Sequence, residues 1–489
     1  MRRVSAAIIP VLCAMGVLNG CAVGPDATRP SLQKDDGFGA APDALTAAGV
    51  KTPDMSAEDE AWWRAFGDPR IDQLVQAGLA ANPTIEAARK SYTSAKALAA
   101  AEEGAFWPSI GLSLSPSRQT TAKTLASPLQ NPKSPYDLNT TEAFLSFTPD
   151  LFGGTRHAVE AAKAAADQAK ASLAAARLTV AYTLTAAALN EAAVTEELHA
   201  AQRSREISQE LLHMAEAERQ LGQISDADVD SARAALATTQ SAVLAIEKSL
   251  RLNRDQMSVW LGRTPGQGFP GSLDRPFRLA DLNSPGRTPR IAPSSLLRRR
   301  PDIRQAEASL VQAGAAVGQA VAARLPSLQI SAATGGAALT LGPNLGSDAQ
   351  FWSVAASLTQ PVFQGGALAK RQKAAEAAYA AAKAQYRATV VAAFGNVADG
   401  MYSLASDQEI LAKAEIADDL ATKALDRARS QFTFGDLSKA AVLQTELEAL
   451  QSRSSAIQAR AVTLADICAL NQALGGGWGA SEADKAKAK

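Results

Sequence analysis

The sequence predicts a mainly α-helical protein that is built from two tandem copies of one unit and carries membrane-spanning β-strands. Three observations lead to this fold class: a long internal repeat, two proline-free stretches of helical composition, and four short segments in which apolar and small polar residues alternate. Aromatic residues make up only 5% of the 489 residues, and alanine is abundant. Alanine favours long helices whose backbones pack closely together.

The internal repeat runs through most of the chain. The segment NPTIEAARKSYTSAKALAAAEEGAFWPSI, which begins at Asn82, aligns without a gap with RPDIRQAEASLVQAGAAVGQAVAARLPSL, which begins at Arg300. Three later landmarks recur in the same order: PDLFGG with PVFQGG, LGQIS with FGDLS, and WLG with ALG. This order at nearly constant spacing indicates a tandem duplication with about 215 residues in each half.

Each half is predicted to contain a helix, a pair of strands, a very long helix, a turn and a second long helix. Residues 150–264 and 362–489 contain no proline, and no glycine lies between Thr155 and Leu221. At about 1.5 Å per residue, a helix over residues 155–220 would be roughly 100 Å long. Charged residues recur every few positions, which argues against helices that cross lipid. We expect an elongated bundle or tube, although an ordinary coiled coil has the same periodicity.

Four segments alternate apolar with small polar residues over about ten positions, which is the pattern of a transmembrane β-strand. They are PSIGLSLSPS, AFLSFTP, the segment around Leu328, and FWSVAASLTQP. A soluble hairpin shows the same alternation, but four occurrences beside long helices favour the membrane. Loops are expected from Arg118 to Asn139 and from Gly335 to Ala349.

The motifs PDLFGG and PVFQGG occupy the two places where a strand must become a helix. Proline ends the ladder of backbone hydrogen bonds, and a glycine pair tolerates the bend that redirects the chain. The turn residues predicted on this basis are Pro149, Gly153, Gly154, Pro361, Gly365 and Gly366.

Four strands are too few to close a barrel, since known barrels begin at about eight strands. An open sheet in lipid would leave the N–H and C=O groups of its edges unpaired, at a cost of several kcal/mol each. The strand prediction therefore requires at least two copies of the chain to share one barrel.

The N-terminus is predicted to be an export signal over residues 1–20, because two arginines precede an apolar run that ends at Leu18. This run is too short to cross about 30 Å of hydrocarbon as a helix. Leu18, Gly20 and Cys21 resemble the lipobox of bacterial lipoproteins, which implies a diacylglyceryl group and an N-acyl chain such as palmitate on Cys21. Ala22, in place of aspartate, implies delivery to the outer membrane. The alternative is a plain signal peptide with an incidental cysteine.

Composition and motifs argue against an enzyme and against a nucleic-acid-binding protein. Lys+Arg and Asp+Glu number 49 each, so no net charge favours nucleic acid. The three histidines form no H-E-x-x-H motif and the three cysteines are isolated, so no metal or cofactor site is indicated. Carboxylates are spread along the helices, without an isolated pair that would suggest acid–base catalysis. We expect a passive, gated conduit.

These features resemble the outer-membrane efflux protein (TolC-type) family, and within it the NodT-type acylated outer-membrane factors. The resemblance rests on CAVGPD at Cys21, AWWRAFGDPRIDQLV at Ala61, LLRRRPDIRQAE at Leu296, the two P…GG turns, and the GQIS and GDLS turns. It implies a homotrimer with a twelve-stranded β-barrel in the outer membrane of a Gram-negative bacterium. A long periplasmic α-helical barrel would continue the β-barrel, wrapped by a small equatorial domain.

The resemblance also implies a division of the chain into six segments. A signal peptide over residues 1–20 is followed by an acylated, extended N-terminal segment that belongs to the equatorial domain. The remaining segments are two efflux repeats, an equatorial connection between them and a C-terminal tail. In order, the mature segments are residues 21–66, 67–264, 265–293, 294–475 and 476–489.

The turns between the long helices of each half would lie at the periplasmic tips, where the family meets a periplasmic adaptor (membrane fusion) protein. The energy would come from an inner-membrane resistance-nodulation-division (RND) pump. A glycine followed by serine also ends one helix and caps the next, so these turns have a structural explanation as well. The residues expected to contact the adaptor are Gly222, Gln223, Ile224, Ser225, Gly435, Asp436, Leu437 and Ser438.

Relatives often carry an aspartate and an arginine near the tip that hold the aperture closed, but the corresponding residues here are Gln444 and Leu447. The same aspartates that would form an acidic ring also favour a helix N-terminus, by roughly 0.3–1 kcal/mol. Both interpretations stay open. A ring formed by three chains would involve Asp226, Asp228, Asp230 and Glu446, with Gln444 nearby.

The function that the resemblance implies is export of small toxic molecules, such as drugs or organic solvents, through the outer-membrane component of a tripartite pump. One alternative is the outer-membrane duct of a type I protein secretion system. Another is a structural lipoprotein that spans the periplasm without forming a channel. Acylation favours the pump, and the four alternating strands argue against the structural lipoprotein.

Overall fold

The computed structural model describes residues 61–120, 135–283, 299–340 and 346–476. The signal peptide, Cys21, nearly all of the acylated segment, part of the connecting segment and nearly all of the tail lie outside these residues. The chain forms two compact units. Among the described residues, the first contains Tyr92–Gln168 and Ala306–Tyr386, and the second contains residues 61–91, 169–305 and 387–476, with the gaps given above.

Apart from the first helix, the described elements repeat in the same order in the two halves. The first half contains helices α1 (Pro69–Ala81) and α2 (Pro83–Glu103), strands β1 (Ser109–Gln119) and β2 (Tyr136–Phe147), and helices α3 (Gly154–Gln220) and α4 (Asp226–Trp260). The second half contains α5 (Pro301–Ala322), β3 (Ser327–Ala338), β4 (Gln350–Thr359), α6 (Ala367–Thr433) and α7 (Lys439–Ala473). Helices α3 and α6 have 67 residues each, and α4 and α7 have 35 each. The predicted duplication therefore extends to the lengths of the elements.

The first unit is built around one four-stranded antiparallel sheet in the order β1-β2-β3-β4. One register runs across it, since Ile110 lies opposite Leu145, Leu145 opposite Ala332, and Ala332 opposite Val354. All four predicted strands are present.

The predicted loops were too long at their ends. Residues 118–119, 136–139 and 335–338 belong to the strands, and their polar or glycine-rich composition wrongly suggested loops. The ladder of backbone pairs continues through these residues, so their composition does not end the strand. Gln119 adds a side-chain hydrogen bond from its Nε2 to the Tyr136 hydroxyl at 2.9 Å.

Among the described residues, α3 is the helix with a stretch long and apolar enough to cross a membrane by length and composition alone. In the part of α3 that belongs to the second unit, Val180, Leu184 and Ala188 are at most 1% exposed. A Cβ on Gly78 of α1 would collide with the Leu184 side chain, so α1 packs directly on α3. Packing against protein therefore accounts for the apolar residues at these positions of α3.

Residues from the two segments predicted to form the equatorial domain contact each other in the second unit. The Phe66 carbonyl accepts a hydrogen bond from the Asn283 amide at 2.8 Å. Just beyond the first of these segments, the Arg70 guanidinium of α1 lies 4.8 Å from the centre of the Phe277 ring. Trp63 and Phe66 of the first segment and Phe277 of the second are almost fully buried.

Candidate functional site: the sheet edges and the helix tips

The sheet presents large apolar side chains to its surroundings on both edge strands. They alternate with smaller residues such as Ser113 and Ser353, so they share one face of each strand. Leaving such side chains in water costs roughly 25 cal/mol for each Å² of apolar area. This face therefore requires lipid or protein beside it. The residues, which are 60–86% exposed, are Ile110, Leu112 and Leu114 on β1 and Trp352, Val354 and Leu358 on β4.

The two edges of the sheet are unpaired within the described chain. Strand β1 pairs only with β2, and β4 pairs only with β3. Each edge presents a row of backbone N–H and C=O groups that can pair with another strand. Pro116 lies within β1, and an edge strand is a position in a sheet where proline is tolerated. The open edges and the apolar face occur together on the same two strands.

The two strand-to-helix turns use their predicted glycines differently. Pro149 follows β2 and Pro361 follows β4, each after one intervening residue. Gly153 has φ of 84°, whereas Gly154 is the first residue of α3 and does not adopt the left-handed conformation. In the second turn both glycines do, with φ of 56° at Gly365 and 79° at Gly366. The prediction that a glycine pair makes the bend therefore holds only in the second turn.

The side chains of these two turns also differ in their contacts. In the first turn, the Asp150 carboxylate accepts a hydrogen bond from the Arg156 amide at 2.9 Å and so caps the start of α3. In the second turn, Val362 and Phe363 are 92% and 88% exposed. The second turn therefore leaves an apolar surface uncovered in the single chain.

The two helix tips have nearly the same backbone. Gly222 and Gly435 are both left-handed, with φ of 77° and 83°. The amide after each glycine donates to a carbonyl in the last turn of the preceding helix at 2.9 Å. Ser225 caps α4 by accepting from an amide at 3.4 Å, and Ser438 caps α7 in the same way at 3.2 Å. The structural explanation of these glycines and serines is therefore correct.

The remaining predicted contact residues at the tips divide into two kinds. Gln223 and Asp436 are exposed, whereas Ile224 and Leu437 are partly buried. Ile224 and Leu437 each pack against the apolar cluster that joins the two helices beneath their tip. The two clusters are Leu212, Val229 and Leu236 at the first tip, and Leu425, Ala428, Val442 and Ala449 at the second.

Sequence reasoning missed the most exposed apolar side chain of each tip. Leu221 is 74% exposed and Phe434 is 82% exposed, and each directly precedes the left-handed glycine. The signal was present in the repeat itself, because LGQIS and FGDLS both begin with a large apolar residue.

The three aspartates at the first tip all have partners within their own hairpin. Asp226 pairs with Arg219 at 2.5 Å, and Asp230 pairs with Arg233 at 3.2 Å. Asp228 completes a capping box at the start of α4. The hydrogen bond from Arg219 holds the pKa of the Asp226 carboxyl below its usual value, and the hydroxyl of the serine cap does the same for Asp228. The predicted acidic ring concerns three chains and stays a prediction.

Glu446 is mostly buried and lies between two arginines. Its carboxylate contacts Arg203 of α3 at 2.8 Å and Arg429 of α6 at 3.3 Å. Burial raises the pKa of the Glu446 carboxyl, but the two arginines outweigh this effect and lower it overall. Gln444, two residues earlier, is exposed. The charge of Glu446 is therefore compensated within its own chain, as are those of Asp226 and Asp230, and its burial sets it apart from the exposed aspartates of the predicted ring.

A family model described as "Outer membrane efflux protein" matches residues 74–263 and 292–476. The two matched ranges lie in the two halves of the duplication and together cover well over half of the chain. The family is one of channels rather than enzymes.

Curated relatives match over nearly their whole length. The pyoverdine export outer membrane protein OpmQ of Pseudomonas putida is 28% identical over 458 residues, which are 90% of this chain and 93% of OpmQ. Nodulation protein T of Rhizobium leguminosarum bv. viciae is 24% identical over 481 residues, which are 98% of this chain and 94% of that protein.

The fold also matches that of a solved structure. The Campylobacter jejuni CmeC outer membrane channel superimposes with a TM-score of 0.81 at 19% identity, covering 96% of this chain and 98% of CmeC. The predicted resemblance and fold class are thereby confirmed.

Proposed function

Since the chain belongs to the outer membrane efflux protein family, we propose that three copies of it form the duct of a tripartite pump that exports small molecules. That it is an outer-membrane efflux channel follows from the family and from its full-length relatives. The trimer, the adaptor, the RND-type pump, the lipid anchor and the class of substrate are the proposal.

The observation that carries the proposal is the open sheet with two unpaired edges and apolar side chains on both edge strands. In lipid, each unpaired N–H or C=O group would cost several kcal/mol. Pairing β4 of one copy with β1 of the next removes both edges and leaves the apolar side chains facing lipid. A closed barrel is therefore the arrangement that satisfies both features at once.

Three copies would supply twelve strands, well above the roughly eight needed to close a barrel. Two copies would supply eight, which is the lower limit, so the choice of three rests on the family resemblance. Mass photometry or native mass spectrometry of the protein in detergent would decide between them. A mass of three chains is expected, and a stable dimer or monomer would contradict the proposed assembly.

The alternation along the strands supports a water-filled interior. Where Leu112 faces lipid, its neighbour Ser113 faces the opposite side of the sheet, which is the inside of the proposed barrel. Barrels with polar interiors and apolar exteriors conduct water and solutes. The duct would be passive, with its energy supplied by the inner-membrane partner.

The two faces of β1 provide a matched test of this orientation. Leu112→Arg is expected to reduce the amount of folded protein in the outer membrane, because arginine on the lipid face costs about 2–4 kcal/mol near the membrane centre. Ser113→Arg is expected to assemble normally and to change single-channel conductance in planar bilayers. Equal loss of folded protein in both variants would contradict a barrel with a lipid face and a lumen face.

The lipid anchor is proposed from the lipobox-like sequence at Cys21. Buried acyl chains contribute about 0.8 kcal/mol for each CH₂, so the anchor would favour membrane residence and assembly. Metabolic labelling with a palmitate analogue is expected to label the wild type and to leave Cys21→Ser unlabelled. Labelling that persists in Cys21→Ser would overturn the assignment.

Export of small molecules is supported by the relative OpmQ, whose name assigns it to the export of pyoverdine. Deletion of the gene is expected to increase susceptibility to drugs and dyes and to raise dye accumulation in cells. Unchanged susceptibility together with lost secretion of one protein would instead indicate the duct of a type I secretion system.

A further inference from the structure

Two carboxyl groups meet between the long helices of the second half, Asp407 on α6 and Asp466 on α7. The Oδ2 atom of Asp466 is buried and has no hydrogen-bond partner among the described residues. A carboxylate only accepts hydrogen bonds, so two ionised carboxylates cannot satisfy each other. A proton held between them would supply the missing donor.

The pair lies where α6 and α7 pack closely. Thr463 of α7 is almost fully buried, and its hydroxyl lies 3.3 Å from the backbone carbonyl oxygen of Asp407 on α6. Leu404 on α6 and Leu464 on α7 are fully buried nearby in sequence. A change in the charge of the pair therefore acts directly on the contact between the two helices.

The other titratable and charged groups around Asp466 do not neutralise the pair. Tyr182 of α3 interacts with Asp466 and with the buried Cys468 of α7, and neither Tyr182 nor Cys468 carries a positive charge. A cavity of about 550 Å³ beside Asp466 is also lined by Arg300, Asp302 and Asp399.

The arginine beside this cavity is already engaged. The Arg300 guanidinium binds the Asp302 carboxylate at 2.6 Å and the Ala473 carbonyl at 2.9 Å. Asp399 adds a further acidic group to the same cavity. Within the described part of the chain, no lysine or arginine forms an ion pair with Asp407 or Asp466, so a proton is the cation available to the pair.

Burial and the neighbouring Asp407 carboxyl raise the pKa of Asp466 to about 7. A carboxyl whose pKa is raised on folding binds more protons in the folded state than in the unfolded state. Its stabilising contribution is fully present below the ordinary carboxyl pKa and is lost as the pH rises through about 7.

We propose that Asp407 and Asp466 share one proton across the α6–α7 contact and that this proton acts as a pH-dependent latch between the two helices. With the proton present, a hydrogen bond joins α6 to α7. Without it, two like charges face each other in a partly buried place and weaken the contact. The latch is a property of the single chain and does not depend on the number of copies in the assembly.

The proton can be detected directly by infrared spectroscopy of the full-length protein in detergent. In the wild type, the carbonyl band of a protonated carboxyl group is expected to disappear as the pH is raised from about 5 to about 9. The titrating band is expected to be absent in Asp466→Asn and in Asp407→Asn. Asp399→Asn, on the same helix as Asp407 and beside the same cavity, is the matched control and is expected to keep it.

Thermal unfolding tests the latch itself. The Tm of the wild type is expected to fall by several degrees as the pH rises through about 7, while the Tm of Asp466→Asn stays level. The side-chain amide introduced in Asp466→Asn can donate to Asp407 at every pH, so this variant should be more stable than the wild type in alkaline solution. If it does not fold, Asp407→Asn provides the same readout. A wild type without a titrating acid band, or an Asp466→Asn variant that loses stability with pH as the wild type does, would overturn the proposal.

Discussion

The tips of the two helix pairs have nearly the same backbone conformation, but the acid and the base of their interhelical ion pair lie on opposite helices. An ion pair joins the two helices at equivalent positions of the repeat, Glu216 with Arg233 at 3.4 Å and Arg429 with Glu446 at 3.3 Å. In the first pair the acid precedes the base, and in the second the base precedes the acid. The duplication therefore preserved the interaction while the two charges exchanged places.

The exchange has a consequence for packing. Because the acid of the second tip lies on α7, it also reaches Arg203 of α3 at 2.8 Å, which buries it more deeply than Glu216. Lys439 at the start of α7 pairs with Glu210 of the same helix α3. The second tip is thus joined twice to α3, a helix of the first pair, whereas the described ion pairs of Glu216 and Arg233 stay within the first pair of helices.

The largest effect on stability is expected when the acid and the base of the interhelical ion pair are exchanged, which can be done at each tip. In Arg429→Glu/Glu446→Arg, the interhelical pair is restored in reverse, but Arg203 keeps only Glu206 of its own helix as an acidic partner and faces a positive charge on α7. We expect a loss of about 1–3 kcal/mol in the free energy of unfolding, less than for a fully buried pair because Arg203 is partly exposed. Chemical denaturation with a far-ultraviolet circular dichroism readout measures it.

The first tip supplies the matched control. In Glu216→Arg/Arg233→Glu the pair is reversed without disturbing a third helix, and we expect a loss of less than about 1 kcal/mol. Each exchange also places a glutamate beside an aspartate three residues away, Asp230 or Asp426, so this side effect is common to both variants. Equal losses at the two tips would show that the contact with α3 contributes nothing.

The same contrast shows which features can be predicted from the sequence and which cannot. The strands and long helices follow local patterns, alternation and the absence of proline, and their order was predicted correctly, whereas the ends of three strands were predicted as loops. Arg203 and Glu446 are 243 positions apart, and no local pattern marks such a pair. The Asp407–Asp466 pair was missed for the same reason, since each residue reads as one more charge on a long helix.

Side-chain direction at the tips was only partly predictable. Motif resemblance selected Ile224 and Leu437 as contact residues, but both pack under the turn on the apolar clusters. The left-handed glycine reverses the chain and leaves the residue before it, Leu221 or Phe434, exposed. Predicting this requires the conformation of the turn as well as its composition.

A smaller effect on the stability of the second tip is expected when the pH is lowered. The folded pKa of Glu446 is lowered because the two arginines outweigh burial, so its contribution is present above the ordinary carboxyl pKa and is lost as the pH falls through the folded pKa. The difference in Tm between the wild type and Glu446→Gln is therefore expected to shrink in acid, below about pH 4. Thermal scans at several pH values measure it, and a difference that does not change with pH would contradict the ion-pair explanation.

The smallest effect on stability is expected for the exposed apolar residues of the tips. Leu221→Ser and Phe434→Ser should leave Tm nearly unchanged, because both side chains are mostly exposed in the single chain. Under the proposed function they should lower dye efflux in the native host by weakening adaptor contact. The effect of Phe434→Ser should be stronger, because the phenyl ring has the larger apolar area.

Ile224→Ser and Leu437→Ser are the controls: they should lower Tm, since each removes a packed apolar side chain. Efflux that falls only in variants whose Tm also falls would show that the exposed residues support no contact of their own.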